Sequence, residues 1–124
     1  MLCTSVPSRA PTNVRAQVHG LDELLVEWEA VPQEYVNGHL LGYIVFYKRN
    51  GYYYPEYSVN TSSPDVLQVL LKNLQSGEGY QVAVAAFTSK GKGPRSYPIY
   101  RTIISEFDRT PLLFCQNILG IFFF

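Results

Sequence analysis

Residues with reactive side chains are few in this sequence and stand apart from one another. His19 and His39 are isolated, no serine–histidine–aspartate or cysteine–histidine set has a meaningful spacing, and no pairs of metal ligands occur. Gly91-x-Gly93 does not form a dinucleotide fingerprint, because that motif needs a helix after its glycines and here a proline and a predicted strand follow. We therefore expect no catalytic activity, no cofactor and no metal site.

The sequence contains one candidate site of post-translational modification, an N-glycosylation acceptor sequence. Asn60, Thr61 and Ser62 satisfy the Asn-x-Ser/Thr pattern, and proline is absent from the middle position. The segment lies in a predicted surface loop, so a glycan on Asn60 is expected if the chain is secreted. Such tripeptides also arise by chance, and both alternatives stay open at the level of sequence.

A basic loop forms the densest cluster of cations in the chain. Lys90, Lys92 and Arg95 alternate with glycine and proline in a predicted hairpin. One interpretation is that the glycines shape the hairpin and the lysines keep it soluble. The other is that Lys90, Lys92 and Arg95 bind heparan sulfate or an acidic partner in a salt-dependent way.

Four tyrosines form a run at residues 52, 53, 54 and 57. On an edge strand they are suited to docking a protein, because tyrosine is enriched in contact surfaces. The simpler interpretation is that alternate members of the run cover the sheet.

The charge balance argues against a global electrostatic partner. The 124 residues carry 10 basic and 10 acidic side chains, so no net field recruits nucleic acid or an anionic membrane. Residues 1–80 carry a net charge of −3 and residues 81–124 of +3. Any electrostatic contact is therefore expected to be local.

The two cysteines and the N-terminus bear on cellular location. Cys3 and Cys115 lie outside the predicted domain, so its core is expected to hold without an internal disulfide, although a bridge between them stays open. The N-terminus lacks the basic start and apolar run of a secretory signal. The chain is then either cytoplasmic as given or a piece of a longer protein.

Period-two hydrophobic patterns predict seven strands and no helix. Residues 30–40 are expected to form a loop, Asn50-Gly51 a type I′ hairpin turn, and Pro55 an edge strand. Apolar residues on both faces of residues 42–49 predict a strand in the middle of its sheet. The predicted strands cover residues 12–18, 24–29, 42–49, 52–59, 65–74, 80–87 and 96–104.

Six motifs in register resemble the fibronectin type III family over residues 10–104. They are Pro11-x-x-Val14, Val26-x-Trp28, Asn37-Gly38, Gly42-Tyr43-x-Val45-x-Tyr47, Leu74 to Tyr80, and Gly91-x-Gly93-Pro94-x-Ser96. The resemblance implies an all-β fold, a seven-stranded antiparallel immunoglobulin-like β-sandwich of fibronectin type III topology. A tryptophan on the second strand and the lack of a cysteine pair in the domain distinguish it from immunoglobulin domains.

The resemblance also implies a core and a tyrosine corner. Tyr80 is expected to send its hydroxyl back to upstream backbone. The family commonly has proline and threonine between the leucine and the tyrosine, whereas this chain has Ser76 and Glu78, so a looser corner is expected. The expected core residues are Trp28, Tyr43, Val45, Tyr47, Leu74, Tyr80, Val82 and Val84.

The expected organisation is a single domain with a terminal segment on each side of it. Residues 1–9 are expected to be unstructured, residues 10–104 to form the domain, and residues 105–124 to be a polar and then hydrophobic tail outside the sandwich. The last 14 residues would span about 21 Å as a helix, too short for a hydrocarbon core of about 30 Å. This tail is consistent with a truncation, a splice variant or the end of a gene model.

The resemblance implies a non-catalytic protein-interaction and spacer module of a cell-surface, adhesion or matrix protein. Its partners are then proteins, its location is extracellular, and it reaches a membrane only through other parts of a longer protein. Two alternatives stay open: an intracellular scaffold domain, and an ectodomain segment of a receptor enzyme such as a receptor-type tyrosine phosphatase.

Overall fold

Two antiparallel sheets pack face to face in the computed structural model, which describes residues 5–51 and 53–103. The three-stranded sheet has the order β1 (Thr12–Val18), β2 (Leu24–Glu29) and β5 (Gln68–Leu71). The larger sheet has the order β4 (Tyr57–Asn60), β3 (Gly42–Arg49) and β6 (Gly79–Thr88), with β7 (Gly91–Lys92) and β8 (Ile99–Thr102) both paired to β6. The predicted all-β sandwich is confirmed.

The last strand position is split into two pieces. β7 pairs with the end of β6 and β8 with its beginning, so the two pieces share one edge of β6. Pro94 and Pro98 lie between them, and proline cannot donate a ladder hydrogen bond. Ser96 keeps contact in the gap, because its N–H donates to Val84 O and its Oγ accepts from Val84 N. The eight strands of the described residues therefore fill seven strand positions.

The core lies between the sheets and follows the period-two pattern. Trp28 and Tyr43 are 2% and 0% exposed, and their ring centroids are 5.5 Å apart. Of the other expected core residues, Tyr47 is half-buried and packs against the core, while the rest are buried: Val45, Leu74, Tyr80, Val82 and Val84. Burial of large aromatic side chains supplies much of the folding free energy of such a domain.

β3 lies between β4 and β6, as its apolar residues predict. Its inward row contributes to the main core, and its outward row forms a second apolar cluster on the outer face of the larger sheet. Ile44 and Phe46 are buried there beside Ala85, and Phe87 packs against them. Both faces of β3 are thus covered, which explains its unbroken apolar sequence.

A short helix replaces part of the loop expected at residues 30–40. α1 (Gln33–Val36) follows Pro32, and the prediction of no helix is wrong at this point. Proline is tolerated where a helix begins because its missing N–H needs no partner there. The helix stops at Asn37, which takes a left-handed conformation with φ 63° and ψ 37°, as is common at helix C-termini.

The connection from β3 to β4 also differs from the prediction. Only Gly51 of the Asn50-Gly51 pair has positive φ, at 142°, so a type I′ turn, which needs positive φ at both residues, is not formed. The return strand begins at Tyr57 and not at residue 52, since Tyr47 pairs with Tyr57. β4 pairs only with β3 within the described residues, which confirms the edge position expected from Pro55.

Residues 5–9 pack against the sandwich, unlike the unstructured segment expected at residues 1–9. Ser5 N donates to Asn37 O, its carbonyl accepts from Thr88 Oγ1 at 2.7 Å, and Pro7 is buried. The side chain of Arg9 lies over the Tyr35 ring, 4.2 Å from its centroid. Cys3, Cys115, Tyr52 and the tail at residues 105–124 lie outside the described residues.

The two ends of the described chain lie at opposite ends of β6. Ser5 contacts Thr88, the last residue of β6. At the other end Ile103 N donates to Glu78 O, and Thr102 pairs with Gly79, the first residue of β6. A strand of ten residues extends over roughly 30 Å at about 3.4 Å per residue. The chain therefore runs from one pole of the sandwich to the other.

Candidate functional site

The basic loop does not present its three cations as one patch. Arg95 makes two hydrogen bonds to Glu56, from Nη1 to Oε2 at 2.7 Å and from Nη2 to Oε1 at 3.0 Å. Its guanidinium also lies over the Phe46 ring, 3.7 Å from the centroid, and Lys92 Nζ is 5.4 Å from the same centroid. Lys90 lies apart from this stack, in the two-residue turn between β6 and β7.

The Glu56–Arg95 pair neutralises part of the positive charge of that loop. The hydrogen bonds from Arg95 hold the pKa of the Glu56 carboxyl below its ordinary value, and the nearby charges of Arg95, Lys48 and Lys92 lower it further. A bidentate arginine–carboxylate pair also fixes both side chains in one geometry. Lys90 and Lys92 are exposed, and they carry most of any attraction for a polyanion. Binding of heparan sulfate stays a prediction.

Asn60 is exposed at the last position of β4. Its neighbour Thr61 is buried, and Thr61 Oγ1 accepts a hydrogen bond from Tyr43 N at 3.0 Å and donates one to Ser63 O at 3.1 Å. Ser62, which carries the hydroxyl of the acceptor sequence, is exposed. The two residues that a glycosyltransferase recognises are thus at the surface, and the middle residue anchors the segment.

Two members of the tyrosine run enter a single cleft at the edge of the sandwich. Tyr57 packs on Tyr47 with ring centroids 5.8 Å apart, and Tyr54 lies over the guanidinium of Arg49 at 4.1 Å. Tyr53, in contrast, is 91% exposed.

We name this the tyrosine–arginine cleft. Its volume is ≈ 380 Å³, and it opens between the beginning of β4 and the chain that follows β5. Pockets of this size accommodate a small ligand or a few side chains of a partner. The lining residues are Tyr47, Arg49, Tyr54, Pro55, Tyr57, Lys72, Asn73, Leu74 and Tyr80.

Arg49 is the charged centre of the cleft. It continues the inward row of β3 that contains Tyr43, Val45 and Tyr47, so the backbone directs it toward the gap between the sheets. Arg49 Nη2 lies 3.3 Å from Glu78 Oε1, while its Nε is buried and has no hydrogen-bond partner. Arg49 is thus held by its ion pair with Glu78 and by the Tyr54 ring, while its Nε–H lacks a hydrogen-bond acceptor.

The Tyr47 phenol in the cleft stays neutral at physiological pH. Burial raises the pKa of the Tyr47 hydroxyl, and the neighbouring Tyr57 and Tyr80 raise it further. The cleft therefore offers aromatic faces and the neutral Tyr47 hydroxyl beside the cations of Arg49 and Lys72. Such a surface suits an anionic group attached to an apolar chain.

The opposite edge of the sandwich is closed. Arg101 on β8 donates from Nε to Ala16 O on β1 at 2.9 Å, which joins the two sheets there. At the other edge, β4 and β5 each pair with a single strand among the described residues. The tyrosine–arginine cleft therefore lies at the open side of the molecule.

Sequence reasoning found the tyrosines but missed Arg49 and Lys72. A charged residue at position 49, in register with the inward row 43, 45 and 47, was the available signal for Arg49. Lys72 had no comparable signal, because it reaches the cleft only through the packing of β5 against the larger sheet.

In the part of the chain that the structure describes, no group of three or more histidine, cysteine, aspartate or glutamate side chains is arranged to hold a metal ion. Across residues 5–51 and 53–103 no helix is long and apolar enough to cross a membrane.

Comparison with known proteins places the chain beside modules of larger proteins. The family model of the fibronectin type III domain matches residues 9–102. The chain is 44% identical over 92 residues to MAM and fibronectin type III domain-containing protein 1 of Acropora millepora, which covers 73% of the chain and 22% of the relative. It is 35% identical over 95 residues to protein sidekick-1 of Gallus gallus, covering 77% and 4%. It is 33% identical over 96 residues to contactin-3 of Mus musculus, covering 77% and 9%.

Solved structures show the same fold. The third fibronectin III domain of human KIAA0343 protein superposes with a TM-score of 0.75 at 24% identity, covering 83% of the chain and 87% of that domain. The FN1–FN3 domains of chicken CNTN1 superpose with a TM-score of 0.67 at 27% identity, covering 81% and 33%. The chain spans less than a quarter of the length of each of the three sequence relatives named above.

Proposed function

The chain belongs to the fibronectin type III family, and we propose that it acts as a non-catalytic protein-interaction and spacer module of a cell-surface, adhesion or matrix protein. Similarity to sidekick and contactin proteins supports this assignment. The small share of each relative that the chain covers supports a role as one module among several. The module itself is proposed to comprise residues 10–104.

One observation carries the spacer role. Ser5 and Ile103 lie at opposite poles of the sandwich, separated by the length of β6. Modules joined through such ends stand in line, and each adds roughly 30 Å to the length of the protein. The packing of residues 5–9 onto the sandwich fixes the direction in which the chain arrives.

The spacer role is tested by placing the module between two folded reporter domains. Small-angle scattering should show a maximum dimension larger by roughly 30 Å than that of the reporters joined directly. A matched control replaces the module with a glycine–serine linker of equal length, whose fluctuating ends give a broad distribution of distances. An unchanged maximum dimension would argue against the spacer role.

An extracellular location is tested at Asn60. Protein made through the secretory pathway should lose mass on glycosidase treatment, and the Asn60→Gln variant should not. Recovery of unmodified Asn60 from secreting cells would remove this support and favour the intracellular scaffold.

A further inference from the structure

We propose that the tyrosine–arginine cleft binds an extended acidic segment of a partner protein, with an aspartate or glutamate carboxylate placed between Arg49 and Lys72. This inference rests on the proposed function, because it names the surface and the partner chemistry of the same interaction module. Three separate features of the cleft carry it: its charge, its prepared side chains and its open strand edges.

The charge of the cleft selects an anion. Two cations, Arg49 and Lys72, line it, and none of its lining residues is acidic. Glu78 Oε1 lies 3.3 Å from Arg49 Nη2, but Glu78 does not line the cleft. A carboxylate entering the cleft meets the exposed Lys72 ammonium and the Arg49 guanidinium, whereas Arg49 Nε itself is buried.

Neighbouring side chains hold Arg49 and Tyr57 of the cleft in place before a partner binds. The Tyr54 ring and Glu78 hold the Arg49 guanidinium on two sides, and Tyr47 supports Tyr57 from beneath. Tyr57 is nevertheless 56% exposed, so its outer ring surface is available to a partner. Rigid aromatic side chains bury a large area on binding and lose little conformational entropy.

The strand edges favour a polypeptide over a sugar. β4 pairs only with β3, and β5 only with β2, among the described residues. The free edge of β4 therefore offers backbone donors and acceptors in a row, to which an extended chain can add. β4 carries no lysine or proline within Tyr57–Asn60 to prevent such pairing. Alternate side chains of the added chain would then point into the cleft.

The probe is an acetylated and amidated hexapeptide of alternating valine and glutamate. Titrated into the ¹⁵N-labelled full chain, it should produce saturable shifts at the amides of residues 47–49, 57–60 and 72–74. A peptide with glutamine in place of each glutamate should bind at least tenfold more weakly. Raising the salt concentration should also weaken the glutamate peptide, because the contact is electrostatic.

Variants locate the contact. Lys72 is exposed, so Lys72→Gln should fold normally and weaken the glutamate peptide about threefold or more. Arg49→Lys keeps the charge but loses the planar fork, and should also weaken binding. Lys90→Gln removes the same charge as Lys72→Gln at the opposite end of the larger sheet, and should leave the affinity unchanged.

Several outcomes would overturn the inference: equal binding of the two peptides, shifts centred on residues 90–95, unaltered affinity in Lys72→Gln, or no saturable shift. Binding of a glucuronate-containing disaccharide at the cleft without binding of the peptide would replace it with a sugar site. None of these outcomes affects the spacer role, which the scattering measurement tests separately.

Discussion

The hydroxyl oxygen of Tyr80 accepts a hydrogen bond from the backbone N–H of Gln75 at 2.7 Å. This bond joins the beginning of β6 to the chain that leaves β5, where the polypeptide crosses from the smaller sheet to the larger one. Ser76 and Glu78 stand where the family commonly has threonine or proline, and they do not prevent the bond. The corner therefore depends on the tyrosine and on backbone geometry.

Tyr80→Phe tests the strength of this corner. Removal of the hydroxyl leaves the Gln75 N–H without its acceptor, and the free energy of unfolding should fall by about 0.5–1.5 kcal/mol. Urea unfolding measures the change. Tyr97→Phe is the matched control, because the Tyr97 side chain is 93% exposed and loss of its hydroxyl should leave the urea midpoint unchanged. An unchanged urea midpoint in Tyr80→Phe would show that the tyrosine corner does not stabilise the fold.

Trp28→Ala tests the core between the sheets. Trp28 is 2% exposed and packs on Tyr43, so its truncation should lower the free energy of unfolding by about 3–5 kcal/mol. Trp28→Phe should cost clearly less, because Nε1 has no hydrogen-bond partner to lose. Similar losses in the two variants would indicate that the indole nitrogen contributes more than the ring volume.

Gly93→Ala tests the docking of the N-terminal segment. A Cβ at this position would lie 2.7 Å from Pro7 O and 2.8 Å from Pro7 Cβ, closer than such atoms approach, so the variant should lose about 1–3 kcal/mol of stability. In a chain that begins at residue 10 the same substitution should cost little. Equal losses in both chains would show that residues 5–9 do not occupy this position in solution.

Arg95→Gln tests the ion pair on the outer face. Hydrogen bonding to Arg95 lowers the pKa of Glu56, so the pair stabilises the fold above the ordinary glutamate pKa. That contribution is lost as the pH falls through the lowered pKa. Both side chains are partly exposed, so the effect on stability is at most a few tenths of a kcal/mol.

The pKa itself is therefore the better measurement for this ion pair. NMR titration should show the pKa of Glu56 rising toward its ordinary value in Arg95→Gln. Arg15→Gln, which removes the partner of Glu27, is the matched control and should leave Glu56 unchanged. A Glu56 pKa that does not move in Arg95→Gln would contradict the ion pair.

Local sequence patterns were sufficient for the strands but not for the contacts between distant segments. Period-two alternation identified β1, β2 and β6, and apolar residues on both faces identified β3 as a central strand. The helix α1 was missed because four residues are too few for a helical period to show. The prediction of a type I′ turn after β3 was wrong because Asn50 N–H donates to Gly79 O. This tertiary contact overrides the local preference of Asn-Gly.

The candidate sites depended still more on tertiary structure. Glu56 and Arg95 are 39 residues apart, and nothing in either segment indicates that they pair. The docking of Pro7 against Gly93 is likewise a contact between segments that are far apart in the sequence. The tyrosine run was visible, but its division between an exposed Tyr53 and a cleft around Tyr54 and Tyr57 follows from the path of the connection between β3 and β4.

The distance between the two ends of the sandwich decides whether the module can act as a spacer. Spin labels are placed at Ser5→Cys and Thr102→Cys, with Cys3 and Cys115 replaced by serine, and the distance is measured by pulsed electron paramagnetic resonance. We expect a single narrow distribution centred near roughly 30 Å, the length of β6. A centre below about half that length, or a broad distribution, would contradict a module that receives the chain at one pole and releases it at the other.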